Sequence, residues 1–364
     1  MEKAASPKQE NARSFAPKDG AQDDKVQAEM ANSVEPLREA EEFRPRRWLA
    51  GGHRMTLAGN FLPRKNLLAP PEERLFSVEA EVQILCHCHW QPERVPATTL
   101  VVIHGLEGSS NSQYVIGAAN KAFAAGMNVV RLNMRNCGGT EKLTPTLYHS
   151  GLSADVAAVI STLIEEDKLT AIALAGYSMG GNLVLKCAGE WGAQAPGQLR
   201  AVCAISPAMD LGPSADALHR PANWIYEQKF LRGLMQRYRR KAALFPKRYA
   251  IAGLKRMRSV REFDDVITAP YSGFAGADDY YHRAAAARVI DQISVPTLIL
   301  HAQDDPFIRI LPETRAKVLA NPHIQFIETR HGGHCAFLAE PNGYDGRWAE
   351  RKIVEFVRQH SAAS

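Results

Sequence analysis

The chain has no run of eighteen or more apolar residues, so nothing in it reads as a membrane-spanning helix. Its amino terminus lacks the short apolar core of a secretory signal, which makes a reduced, cytoplasmic protein the expectation. Net charge is only +5 over 364 residues, too little to point to nucleic acid as a partner. Cysteine is sparse. The six thiols, Cys86, Cys88, Cys137, Cys187, Cys203 and Cys335, fall mostly inside apolar runs, where a free thiol packs as a small hydrophobe. The run Cys86-His87-Cys88-His89 has the residue types of a metal site. On a strand, however, those residues alternate between faces, and no second Cys/His cluster follows at zinc-ligand spacing. No metal and no organic cofactor are expected. Large apolar residues are almost absent from residues 1 to about 45, and that composition predicts a disordered polar tail.

What remains is ordinary material for a core: 45% hydrophobic and 23% charged residues. Residues 46–364 read as one globular domain. Ser77 to His89 alternates as one or two early strands, and Leu100 to His104 is a short buried strand. Helical spacing over Gln113 to Ala125, a strand over Asn128 to Met134 and a helix over Ser153 to Glu165 follow. Further strands are expected at Ala171 to Ala175, Leu199 to Ile205, Val295 to His301 and Ile324 to Glu328. Asn182 to Gly189 and Arg347 to Gln359 read as helices. This alternation predicts an α/β fold, a mostly parallel sheet with helices on both faces. Between 210 and 287 it stops. That stretch is helix-like, basic and aromatic, and reads as a helical cap inserted over the carboxyl ends of the strands.

The most specific signal is Gly176-Tyr177-Ser178-Met179-Gly180, placed where a buried strand gives way to a helix. Glycine at the outer positions lets the turn close without colliding Cβ atoms, and the turn lifts the serine oxygen out of the sheet. The serine then sits at a helix amino terminus, where N–H groups and the helix dipole favour negative charge. A tight turn with an incidental serine is the alternative for these five residues taken alone.

A serine hydroxyl needs a base, and the base needs an orienting carboxylate. In α/β-hydrolases the chain order is serine, acid, histidine. Asp304 and Asp305 follow the strand ending at His301. Asp305 is favoured because Pro306-Phe307 supplies an apolar anchor behind it, and a turn aspartate capping the next helix is the alternative. His334 follows the last strand on two glycines and is favoured as base over His331, which reads as a solvated loop residue. The oxyanion needs two backbone N–H groups, assigned to Met179 and to Leu106 in the His104-Gly105-Leu106 loop. His104 reads as a core histidine held by backbone.

Taken in order, these pieces resemble the YheT-type α/β-hydrolases, a family with plant embryogenesis-associated and membrane-anchored animal members. The resemblance runs from about His53 to Arg358. It rests on His53-Arg54-Met55-Thr56-Leu57, on His104 to Ser110 with Tyr114, on Asn133 to Gly139, and on Tyr148 to Gly151. It continues through Gly176 to Asn182, Phe263-Asp264, Tyr280-Tyr281, Asp304 to Phe307 and Gly332-Gly333-His334. It implies carboxylic-ester hydrolysis with Ser178 as nucleophile, Asp305 as acid and His334 as base, on a small-molecule ester or lipid. The membrane anchor of the animal members does not carry over, since the polar tail stands in its place. Family members that transfer acyl groups to alcohols, or that cleave phospholipids, define the rival activities. A hydrolase-like binding protein with a silent site is the rival from another class.

Overall fold

The computed structural model describes residues 43–251, 254 and 257–361, so the tail expected over residues 1–45 lies almost wholly outside the described part. Phe43 already belongs to the packed domain, its ring 5.3 Å from that of Trp348. Eight strands form one sheet: β1 (Glu72–Glu79), β2 (Val82–His89), β3 (Thr99–Ile103), β4 (Asn128–Leu132), β5 (Ile172–Tyr177), β6 (Leu199–Ile205), β7 (Thr297–Ala302) and β8 (Ile324–Thr329). Their spatial order is β1-β2-β4-β3-β5-β6-β7-β8. Strand β2 runs antiparallel to both its neighbours, and every other pairing is parallel.

The alternation of side chains explains the layering. In β3, Val101 and Ile103 enter one apolar layer while Leu100 and Val102 enter the other. In β5, Ile172 and Leu174 face the first layer and Ala173, Ala175 and Tyr177 the second. Both faces of the central strands are therefore buried, as parallel pairing requires. Among the described residues six α-helices lie outside the β6–β7 connection: α1 (Gly52–Phe61), α2 (Gln113–Ala124), α3 (Ser153–Glu165), α4 (Met179–Trp191), α8 (Pro312–Ala320) and α9 (Trp348–Ser361).

Between the adjacent strands β6 and β7 the chain leaves the sheet and returns. It builds α5 (Leu211–Leu218), α6 (Trp224–Leu244), a helical stretch over 260–271 and α7 (Ala277–Ala284). Within that stretch Asp264–Thr268 forms a π-helical turn. Among the described residues no helix is long and apolar enough to cross a membrane.

Two helices and part of a strand lie outside the sequence reading. In α1 only Met55 and Thr56 are buried, and in α8 only Thr314 and Val318, so neither carries a wide apolar stripe. Strand β1 begins at Glu72 rather than Ser77 because it is an edge strand with Phe76 as its one buried residue.

Candidate active site

Ser178 occupies a left-handed backbone position, φ 55° and ψ −115°, between the end of β5 and the start of α4. Such a conformation is costly for a residue with a Cβ, and it persists because the surroundings impose it. A Cβ on Gly176 would collide with the carbonyl of Gly180, and one on Gly180 with the carbonyls of Ile103 and His104. The Ser178 N–H donates to Ile205 O at 2.9 Å, tying the turn to the end of β6.

The loops after β7 and β8 meet beside this turn. His334 Nδ1 lies 2.9 Å from Asp305 Oδ2, and the Asp305 side chain has no exposed area. The other carboxylate oxygen accepts from the N–H groups of Phe307 at 3.1 Å and Ile308 at 2.9 Å. Burial would raise the Asp305 pKa, but the His334 ring and these donors hold it below the usual carboxylate value. Burial acts against the charged form of His334, yet Cys335 and the Asp305 carboxylate raise its pKa above that of an ordinary imidazole. With Nδ1–H committed to Asp305, Nε2 is the ring nitrogen left for proton transfer, and it lies 3.6 Å from Cys335 Sγ. Phe307 stacks obliquely on His334 with ring centroids 4.4 Å apart.

The rival residues form a second pair. His331 Nδ1 lies 3.2 Å from Asp304 Oδ2, and Asp304 Oδ1 accepts from Gly333 N at 2.8 Å. This pair is more open than the first, with His331 37% and Asp304 19% exposed, and it braces the glycine turn that carries His334.

Ser178, Met179 and Leu106 line one cavity of about 100 Å³, together with Phe230 and Leu234 of the cap and Phe307. The N–H groups of Met179 and Leu106 have no hydrogen-bond partner among the described residues, whereas Gly105 N donates to Tyr114 Oη at 3.0 Å. A Cβ on Gly105 would lie 3.1 Å from Ser178 Cβ, so glycine is what lets this loop approach the serine. His104 is fully buried. Its Nδ1 bonds Gly105 O at 2.8 Å and its Nε2 accepts from Met134 N at 3.1 Å, so it holds the loop. Burial lowers its pKa to about 4 and keeps it neutral.

The structure thus joins Asp305 to His334 and places Ser178, Met179 and Leu106 on a common cavity. It shows no hydrogen bond from Ser178 Oγ among the described residues. Several supporting residues escape sequence reasoning. Thr56 Oγ1 accepts from His334 N at 2.8 Å, so α1 positions the histidine loop. Arg237 of α6 grips Glu107 of the Leu106 loop, with Nε 2.9 Å from Oε1, and also bonds the Asn136 carbonyl. Tyr148 donates to the same Glu107 oxygen at 2.6 Å. The only sequence signal for the first contact was a motif-like stretch, His53 to Leu57, without an assigned role. For the Arg237 contact there was none, since it spans 130 residues.

The Cys86 to His89 run divides as strand geometry demands. Both thiols enter the core, while His87 lies 3.0 Å from Ser110 Oγ and His89 3.2 Å from Arg131.

Fold and site together define the class, an α/β-hydrolase. The family model described as alpha/beta hydrolase fold matches residues 98–341. YheT of Escherichia coli (strain K12) is 30% identical over 326 residues, 88% of this chain and 94% of that protein. Phospholipase ABHD3 of Mus musculus is 30% identical over 263 residues, 71% of this chain and 63% of that protein's length. Among solved structures, the Pyrococcus furiosus esterase Pf2001 superposes with a TM-score of 0.54 at 13% identity, over 88% of this chain and 99% of that one. At that identity the likeness concerns the fold alone. The chain belongs to the α/β-hydrolase family, in its YheT-type branch.

Proposed function

We propose that the protein is a carboxylic-ester hydrolase acting through an acyl-enzyme on Ser178. The observation that carries this reading is the buried Asp305–His334 bond, beside a serine held in a left-handed turn on an apolar cavity. Ser178 Oγ attacks the ester carbonyl and its proton passes to His334 Nε2. The oxyanion is held by the N–H groups of Met179 and Leu106. His334 then protonates the leaving alcohol. Water, deprotonated by the same nitrogen, releases the acid and regenerates the serine. Asp305 fixes the tautomer and stabilises the imidazolium. The apolar lining and modest volume of the cavity favour short- to medium-chain acyl groups.

A fluorophosphonate probe tests the reading directly. Folded protein labels at Ser178, and Ser178→Ala both resists the label and loses ester turnover by about three to six orders of magnitude. Retained turnover in that variant, or absence of labelling in the native protein, would overturn it.

A further inference from the structure

A second, open cleft of about 610 Å³ lies where the α5–α6 junction meets the loop after β7. Ile308 lines both this cleft and the cavity at Ser178. The carboxylates of its wall are all engaged. Asp305 is bonded to His334, Asp304 to His331 and Gly333, and Glu328 to Arg315 at 2.6 Å. Two of its cations have no carboxylate partner. The Arg220 side chain is exposed and makes no hydrogen bond or ion pair among the described residues. Arg309 bonds only main-chain carbonyls, those of Asp305, Pro306 and Ile308, and no carboxylate bonds it. Burial lowers the Arg309 pKa; the Asp305 carboxylate acts against that shift and the charge of Arg220 adds to it, so the two guanidinium groups sense each other across the cleft. Two further atoms of the wall, Nδ1 of His301 and Oδ1 of Asn223, are buried without a partner.

We propose that this cleft is a binding subsite for a phosphate or phosphodiester anion, held between Arg220 and Arg309 next to the Ser178 cavity. Guanidinium groups match the oxygens of such an anion in paired N–H···O contacts, and two of them on one wall can engage separate oxygens of a tetrahedral group. A carboxylate offers only two oxygens and uses such a wall less fully. Asn223 Oδ1 is an acceptor suited to a hydroxyl on the same ligand. The anion is either free phosphate or the head group of an ester whose acyl end enters the cavity. Only the second source rests on the esterase reading.

Two measurements on the full chain test the site. The first is calorimetric titration of inorganic phosphate at constant ionic strength into native protein and Arg220→Gln. Saturable binding that weakens about tenfold in the variant is expected, the loss of one charge-assisted hydrogen-bonding group. The second is the ratio of kcat/KM for a lysophosphatidyl ester to that for a monoacylglycerol of the same acyl chain. A fall of about tenfold in that ratio for Arg220→Gln assigns the anion to the substrate head group. An unmoved ratio with weakened phosphate binding assigns it to free phosphate. Phosphate binding that is absent or equal in the two proteins, with an unmoved ratio, overturns the site. The Arg220 side chain makes no hydrogen bond or ion pair among the described residues, so the melting curve of the variant serves as the folding control. Failure of the esterase reading would show separately, as absent turnover of every ester, and would leave the titration to decide the anion.

Discussion

At the scale of single residues, the site is a problem of one charge in two places. Asp305 is completely buried yet held ionised, because His334 and two backbone donors compensate the loss of water. Asp304 lies one position earlier and faces a different histidine. Asp305→Asn should lower kcat by about three to four orders of magnitude, as removal of the orienting carboxylate does elsewhere, and Asp304→Asn by less than about tenfold. The two rates on a p-nitrophenyl ester decide this, and the reverse ranking would transfer the acid role to Asp304. A pH profile adds an independent readout. On the proposed mechanism His334 must be neutral to act as base, and its pKa lies above that of an ordinary imidazole. The kcat/KM of the native protein should therefore still be rising with pH above about 6.5. Asp305→Asn removes a negative neighbour and should move that limb toward acid.

At the scale of elements, the cap is fixed to the Leu106 loop by a few nearly buried charges. Arg237 and Glu107 are 11% and 13% exposed and meet at 2.9 Å. Removing one partner of such a pair leaves the other uncompensated. Arg237→Met should thus cost about 3 kcal/mol in urea unfolding. Combining it with Glu107→Gln should recover part of that loss, and strictly additive losses would show that the two side chains are not coupled. The π-helical turn of the cap carries a second buried acid. Asp264 accepts from Thr268 Oγ1 at 2.6 Å and Tyr281 Oη at 2.8 Å, and burial raises its pKa to about 6 despite them. A raised carboxyl pKa means that folding favours the protonated form. Its contribution is most favourable below the unfolded pKa of about 3.9 and is lost as pH rises through 6. The stability of Asp264→Asn relative to native protein should therefore improve by about 2 kcal/mol between pH 4.5 and pH 8. A pH-independent difference would mean that Asp264 titrates normally.

At the scale of the whole molecule, one sheet with two apolar faces holds everything else in place. All six cysteines are free and buried within this body. A thiol reagent should accordingly find no fast-reacting group in native protein and six in concentrated urea, with reaction rates that follow global opening. A fast-reacting subset in native protein would reveal a region that opens on its own. The cap enters and leaves through neighbouring strands, β6 and β7, so the wall of the Ser178 cavity hangs on the part of the sheet that also carries Asp305.

The local patterns of the chain determined a good deal. Short continuous apolar runs such as Leu100 to Ile103 marked the buried strands, because both faces of a parallel sheet exclude water. The glycines at 176 and 180 marked the serine turn, because only they fit beneath it. The sequence favoured Asp305 and His334, but only the tertiary structure showed that they meet and that Asp304 turns to His331, since adjacent loop residues carry no periodicity that tells one face from the other. The tertiary structure alone revealed α1 as the support of His334 and α6 as the clamp on the Leu106 loop. Those contacts join residues 278 and 130 positions apart, and each depends on where a whole element packs rather than on any pattern within it.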